Sequence, residues 1–342
     1  MLLRKAAIAL LCVTAVATAH AQWLKYPAAG IPRTKDGKPN LTARAPRGSD
    51  GKPDFSGVWT TDGSPPGEID RLFPGISDLA VPGDDPRVFP KYFLNVFADY
   101  KNEDVPIKKE MLPVFLERAK SLGKDNPTSH CLPAGVSMGD LLPLPRRFIH
   151  LPNLLVILYE GVNPQRMIYL DGRKHVLENP AWLGYSVGNW EGDTLVVDTR
   201  GFNDRTWLDA FGHPHTEALR ITERFTRRDF GHIDVQMTFE DPGAYTKPFS
   251  IRFTQTLTPD TDVIEGVCNE NEKDRAVLGL HGVPGMERAL LVLERRTELR
   301  EMPLQHVDHR VFLDPVDSLF RVHLGTIVLR EEAIALETTR RH

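Results

Sequence analysis

"HIDVQMTFE", residues 232–240, places Ile233, Val235, Met237 and Phe239 on one side of an extended chain and His232, Asp234, Gln236 and Thr238 on the other. Alternation of period two puts one face on a core and the other in water, as antiparallel strands do. "FSIRFTQTL", residues 249–257, repeats the pattern, with Phe249, Ile251 and Phe253 against Ser250, Arg252 and Thr254. Upstream, "LRITERFTRR" (219–228) alternates as well. "GYSVGNW" and "DTLVVDT" flank Glu191-Gly192-Asp193, where Gly192 can take the positive φ of a tight turn. "LLVILYE" (154–160) and "RMIYLD" (166–171) read as a further hairpin, and "DFSGVWTT" (54–61) as a first strand. "VIEGV" (263–267) and "ALLVLERR" (289–296) add two candidates. Nine or ten strands with mostly short connections must hide their edges, and closure into a barrel is the common way. The expected fold is mainly β, an antiparallel barrel, with a β-sandwich as the alternative.

The remaining segments divide the chain. Residues 1–21 combine a basic Arg4-Lys5 pair, an apolar run from Ala6 to Ala17 and an Ala19-His20-Ala21 cleavage pattern, which predicts a removed export signal and a periplasmic or secreted protein. No later run reaches the roughly 18 continuous apolar residues of a membrane span. Residues 22–53 read as an extended strap containing a near-repeat, "DGKPNLTA" then "DGKPDFSG". A helical insertion is expected at about 62–145. Within it Met111, Phe115, Ala119 and Leu122 step at helical spacing, and Pro113 is tolerable only in the first turn. The barrel domain spans 54–300, and 301–342 form a tail of uncertain structure. Without Arg4 and Lys5 the chain carries 40 basic against 46 acidic residues, net −6, which gives no footprint for nucleic acid or anionic lipid. Removal of Cys12 with the signal leaves Cys131 and Cys268. In an oxidising compartment two such thiols most often pair, closing a loop worth about 4–5 kcal/mol on the chain-entropy account; two free buried cysteines are the alternative.

"PDFSGVW", "VGNWEGDTLVVDTRGFNDRTWLD" and "GHPHTEALRITERF" together resemble a widespread family of exported bacterial proteins over roughly residues 50–275. That resemblance brings no reaction with it. Gly57-Val58-Trp59 on the first strand is similar to the Gly-x-Trp of lipocalin-like barrels, which implies a cup with an apolar or amphipathic ligand inside. The stretch of over 80 residues after that strand departs from a simple lipocalin.

Candidate chemistry gathers in two places. Glu223 and Gln255 fall on apolar strand faces, so each must be paired, hydrated or turned toward a ligand. A buried Glu223 with a raised pKa could move protons near neutrality; the structural alternative is a salt bridge to an inward arginine. The loop "FNDRTWLDAFGHPH" (202–215) holds His213 and His215, whose rings would point the same way in extended backbone. Asp204, Asp209 or Glu217 could complete a metal set with them. Alternatively Asp204 orients one histidine as a base, with Trp207 and Phe211 as an apolar wall. The plain reading is an Asx-turn at Asn203 and Asp204 with Trp207 in the core. Asp171, Arg173 and His175 at a strand end, and His306, Asp308 and His309 near the tail, are weaker signals. Serine-hydrolase, phosphate-loop, dinucleotide and zinc-protease motifs are missing, and no motif indicates a cofactor. The expected function is binding of a small apolar or amphipathic molecule in the barrel mouth. The alternatives are a hydrolase, lyase or isomerase using Glu223 or His213/His215 with Asp204, and a structural component of the cell envelope.

Overall fold

A computed structural model describes residues 28–74 and 89–264, except 122 and 162, together with 266 and 268. Nine strands run in sequence order around a closed barrel: β1 (Gly57–Thr61), β2 (Arg146–Leu151), β3 (Leu154–Tyr159), β4 (Arg166–Tyr169), β5 (Tyr185–Glu191), β6 (Thr194–Arg200), β7 (Arg220–Arg227), β8 (His232–Glu240) and β9 (Phe249–Leu257). Closure is made by β1 against β9, with Trp59 opposite Leu257 and Thr61 opposite Gln255. That junction decides the fold in favour of the barrel over the sandwich. Every neighbouring pair is antiparallel except β4–β5, which is parallel, with Ile168 opposite Ser186. Residues 170–184 separate those two strands, long enough to return the chain to the same end of the sheet, where a hairpin cannot. The barrel is therefore mixed at one junction rather than wholly antiparallel.

The alternation seen in the sequence becomes the inside and outside of this wall. Ile233, Val235, Met237 and Phe239 are buried on β8, as are Ile221, Glu223 and Phe225 on β7 and Phe249, Ile251, Gln255 and Leu257 on β9. β5 and β6 meet at the expected tight turn, with Gly192 at φ 61°. Of the candidate strand "VIEGV" (263–267) the described residues 263, 264 and 266 form no strand, whereas "ALLVLERR" lies outside the described residues.

The segment between β1 and β2 carries α1 (Glu68–Leu72), α2 (Lys91–Leu94), α3 (Leu112–Lys120) and α4 (Gly135–Leu141), with short 3-10 turns at Asn102–Asp104 and Pro127–His130. Pro113 sits in the first turn of α3, where a missing N–H costs no helical bond. Every residue of α4 is buried, because this helix plugs one end of the barrel. Two large apolar bodies result. One, with Phe55, Trp59, Phe148, Leu195, Phe225 and Val235, fills the end near β1. The other, with Phe97, Val136, Leu141, Leu208, Phe239, Tyr245 and Phe249, joins the barrel to the helices and loops.

Two local devices tie the N-terminal strap to this wall. The near-repeat folds twice into the same clip: Arg33 Nη1 donates to Gly37 O at 3.1 Å, and Arg47 Nη1 to Gly51 O at 2.6 Å. Each arginine then pairs with an aspartate of a barrel turn, Asp260 after β9 and Asp193 between β5 and β6. At Gly57 φ is +146°, and a Cβ there would lie 2.6 Å from Leu257, so the glycine of "PDFSGVW" is required by the close β1–β9 approach. Cys131 and Cys268 form a disulfide with 5.6 Å between Cα atoms, joining the segment after β9 to the turn before α4.

Candidate functional site

Between the two apolar bodies runs a belt of polar side chains, and Glu223 belongs to it. Arg166, inward on β4, donates from Nη1 to Glu223 Oε1 at 3.0 Å and from Nη2 to Glu223 Oε2. Its other N–H groups reach Asp140 of α4 at 3.2 Å, Thr199 at 2.9 Å and Ser186 at 3.2 Å. Tyr159 donates to the second oxygen of Asp140 at 2.8 Å. Arg146 donates to Gly139 O and Leu142 O and, at 2.5 Å, to Thr61 Oγ1, which in turn donates to Asp140 O at 2.6 Å. The belt thus contains two arginines and two carboxylates, and nearly every polar atom is used. Burial pushes the Glu223 carboxyl up to about 7 against the pull of Arg166, whose own guanidinium is raised by that carboxylate in spite of burial. A fork-on-fork pair of this kind is a fixed internal contact. The inward arginine allowed by the sequence is Arg166, and it leaves Glu223 no open position from which to exchange a proton with a ligand.

Gln255 completes the inventory of the interior. It is fully buried, and neither its Nε2 nor its Oε1 has a partner; Arg146 Nε, in the same belt, has none either. Two grooves, of about 440 and 370 Å³, open to solvent, and the smaller lies over the outer faces of β7, β8 and β9. The larger is bordered by Phe202, Leu219 and Pro242 next to the loop that follows β6.

That loop is built around Asp209. Four N–H groups converge on this buried carboxylate: Gly212 N at 3.0 Å and His213 N at 3.2 Å on Oδ1, Val96 N at 2.8 Å and His213 Nδ1 at 2.6 Å on Oδ2. Such an acceptor-only arrangement places the imidazole proton on Nδ1. The His213 ring is stacked on Phe115 of α3 at 4.3 Å and meets the edge of Phe97 at 4.9 Å. The residue is 4% exposed, and its Nε2 has no hydrogen-bond partner among the described residues. A histidine oriented by a carboxylate through Nδ1, with a lone pair free on Nε2, is the arrangement of a general base.

His215 differs. Its Nε2 accepts from Thr206 Oγ1 at 2.6 Å and its Nδ1 donates to Thr216 O at 3.1 Å. Burial holds its pKa below the ordinary value, so it is neutral and fully bonded. The two imidazoles are thus taken by different partners, and the described residues contain no group of three ligating side chains that could hold a metal.

Asp204 is not the orienting carboxylate. It is exposed beside the Asx-turn, in which Asn203 accepts from Arg205 N at 3.2 Å, and Asp209 takes its place on His213. Trp207 and Phe211 do not form one wall. Trp207 packs on Ala134 and Met138 under the Arg118 guanidinium, 5.3 Å from the ring, whereas Phe211 belongs with Ile69, Phe73 and Leu94. Asp171 and Arg173 pair with one another at a strand end, and His175 donates from Nε2 to Asp198 O at 2.9 Å. His306, Asp308 and His309 lie outside the described residues. The residues missed from sequence are Arg166, Asp140 and Tyr159 in the belt and Phe97, Phe115 and Arg118 at the loop. Asp209 stood in the sequence four residues before His213, a spacing that a single turn brings together. No family model matches the chain, and no curated protein or solved structure is similar to it.

Proposed function

We propose that this chain is an exported barrel protein that accepts a small amphipathic molecule at its loop-covered end, where His213 moves a proton. The observation that carries the reading is the Asp209–His213 pair, bonded on Nδ1 and open on Nε2. Its setting supports it: the rings of Phe97 and Phe115 offer an apolar seat beside the basic nitrogen, and Arg118 carries a guanidinium whose Nη1 has no partner. Proton abstraction in a hydrolysis, elimination or isomerisation is the chemistry such a group performs. Binding without turnover would use the same place, with Nε2 accepting from a ligand hydroxyl or amide. The test is native mass spectrometry of the mature protein taken from its own compartment, beside His213→Asn. A small molecule retained by the parent and lost from the variant is the expected result. Equal retention by both would remove His213 from the site.

A second reading, a structural component of the cell envelope, is favoured by one observation. Ile149, Leu151 and Met167 are exposed together on the outer face of β2 and β4.

A further inference from the structure

β3, "LLVILY", is apolar on both faces. Leu155 and Ile157 point into the barrel, and Leu154, Val156 and Leu158 point out. The register continues this outer row across its neighbours: Ile149, Val156 and Met167 are opposite one another, as are Leu151, Leu154 and Tyr169. Ile149 is 37% exposed, Met167 40% and Leu151 46%. Contiguous apolar surface of this kind on a wall that is otherwise polar outside marks a contact. The outer faces of β7, β8 and β9 show the contrast, with Arg224, Gln236 and Arg252 at corresponding positions.

The path of the chain after β9 indicates what makes that contact. Leaving Leu257, it stays on the outside of the wall. Asp262 pairs with the outward Arg147 of β2 at 2.5 Å, Ile264 N donates to Glu160 at the end of β3 at 3.1 Å, and Gly266 packs on Gly161. Cys268 is then fixed to Cys131. The chain is thus pinned at the edge of the apolar face, with 74 residues still to follow. Among those residues Ala289–Leu293, "ALLVL", is the longest uninterrupted apolar run. Twenty residues separate it from Cys268, a reach of up to roughly 70 Å, against about 13 Å from Leu158 to Leu154 along β3.

We propose that the C-terminal segment around Ala289–Leu293 lies on the outer face of β2, β3 and β4 and covers it, so that the barrel carries its own partner for this surface. The disulfide then acts as the tether that keeps the segment at high effective concentration beside the face.

A photo-crosslinking phenylalanine analogue at Met167 of the full mature chain tests this, with the cross-linked peptides identified by mass spectrometry at two protein concentrations. A concentration-independent link within one chain to a peptide containing Ala289–Leu293 is the expected result, and Leu291→Asp should reduce its yield at least tenfold. A link to a second copy, to another part of the tail or to a different protein, or a label that reacts only with solvent, would overturn the proposal. The same label at Gln236, on the polar side of the wall, is expected to give no link to that segment, and far-UV circular dichroism of both labelled proteins checks that the barrel is folded.

Discussion

The belt inside the barrel and the loop that follows β6 are both buried, charged and held by short hydrogen bonds, but they end differently. In the belt the charged groups answer each other: Arg166 uses its N–H groups on Glu223, Asp140, Thr199 and Ser186. At the loop the constellation stops one bond short, because Asp209 orients His213 through Nδ1 and nothing described takes Nε2. A closed set of bonds fixes a structure, whereas an open one leaves something to offer a ligand. Burial and charge alone do not distinguish the two. What distinguishes them is whether the basic atom has a partner: both Glu223 oxygens have one in Arg166, and His213 Nε2 has none among the described residues.

The comparison is broken most severely by Arg166→Met. This substitution strands Glu223 and part of Asp140 without their cation in a site that excludes water, and it should cost about 3–5 kcal/mol of stability in a denaturant titration. A loss under 1 kcal/mol would mean that the belt is hydrated and not closed. His213→Asn comes next. It keeps a donor for Asp209 but removes the basic Nε2, so a turnover assay, once a substrate is in hand, should fall about 100-fold or more while the fold persists. Near-parent turnover would leave the loop a structural feature like the belt.

pH sharpens the difference, since the two regions respond with opposite sign. Glu223 is raised in the folded state from 4.5 to about 7, so the fold holds its proton more tightly than the unfolded chain does. Its contribution is present at low pH and is lost as pH rises from about 4.5 through 7. His215 is lowered from 6.5 by burial. Its contribution is present above about 6.5 and is lost as pH falls below that value. Melting temperature against pH should therefore lose its fall between about pH 4.5 and 7 in Glu223→Gln and its rise toward pH 6.5 in His215→Gln, while the rise in stronger acid set by Asp54, Asp99 and Asp198 persists in both. An unchanged profile in Glu223→Gln would show that Arg166 sets the carboxyl without regard to burial. The smallest effect is expected at Gln255→Met. With neither amide atom bonded, the exchange removes unsatisfied polar atoms at similar volume and should change stability by no more than about 1 kcal/mol, in either direction. A larger loss would identify Gln255 as hydrogen-bonded to something beyond the protein's own side chains.

The legibility of these features in the sequence follows the range of the interactions involved. "HIDVQMTFE" and "FSIRFTQTL" were readable because alternation depends on neighbouring residues and on one core, and both faces fell where expected. The hairpin at Gly192 was readable because its turn is chemically local. The parallel β4–β5 junction was not, since the path of residues 170–184 leaves no periodic mark. Glu223 was legible as an inward carboxylate, but Arg166 lies 57 residues away and meets it only when the barrel closes. At the loop the two histidines stand out in the sequence, but the choice of orienting carboxylate, five residues further on than Asp204, does not. Asp204 and Asp209 look alike in sequence, and only the turn that bonds Leu208 N to His213 O brings the second one under the ring.

Of the two loop histidines His213 alone presents a nitrogen without a partner, and site-resolved acylation of the folded protein by diethyl pyrocarbonate tests this. The exposed His130 serves as the reference for full reactivity. The structure predicts modification of His213 at Nε2 and protection of His215, whose two nitrogens are taken by Thr206 and Thr216. Protection of both while His130 reacts would contradict it, and the loop would then be as closed as the belt.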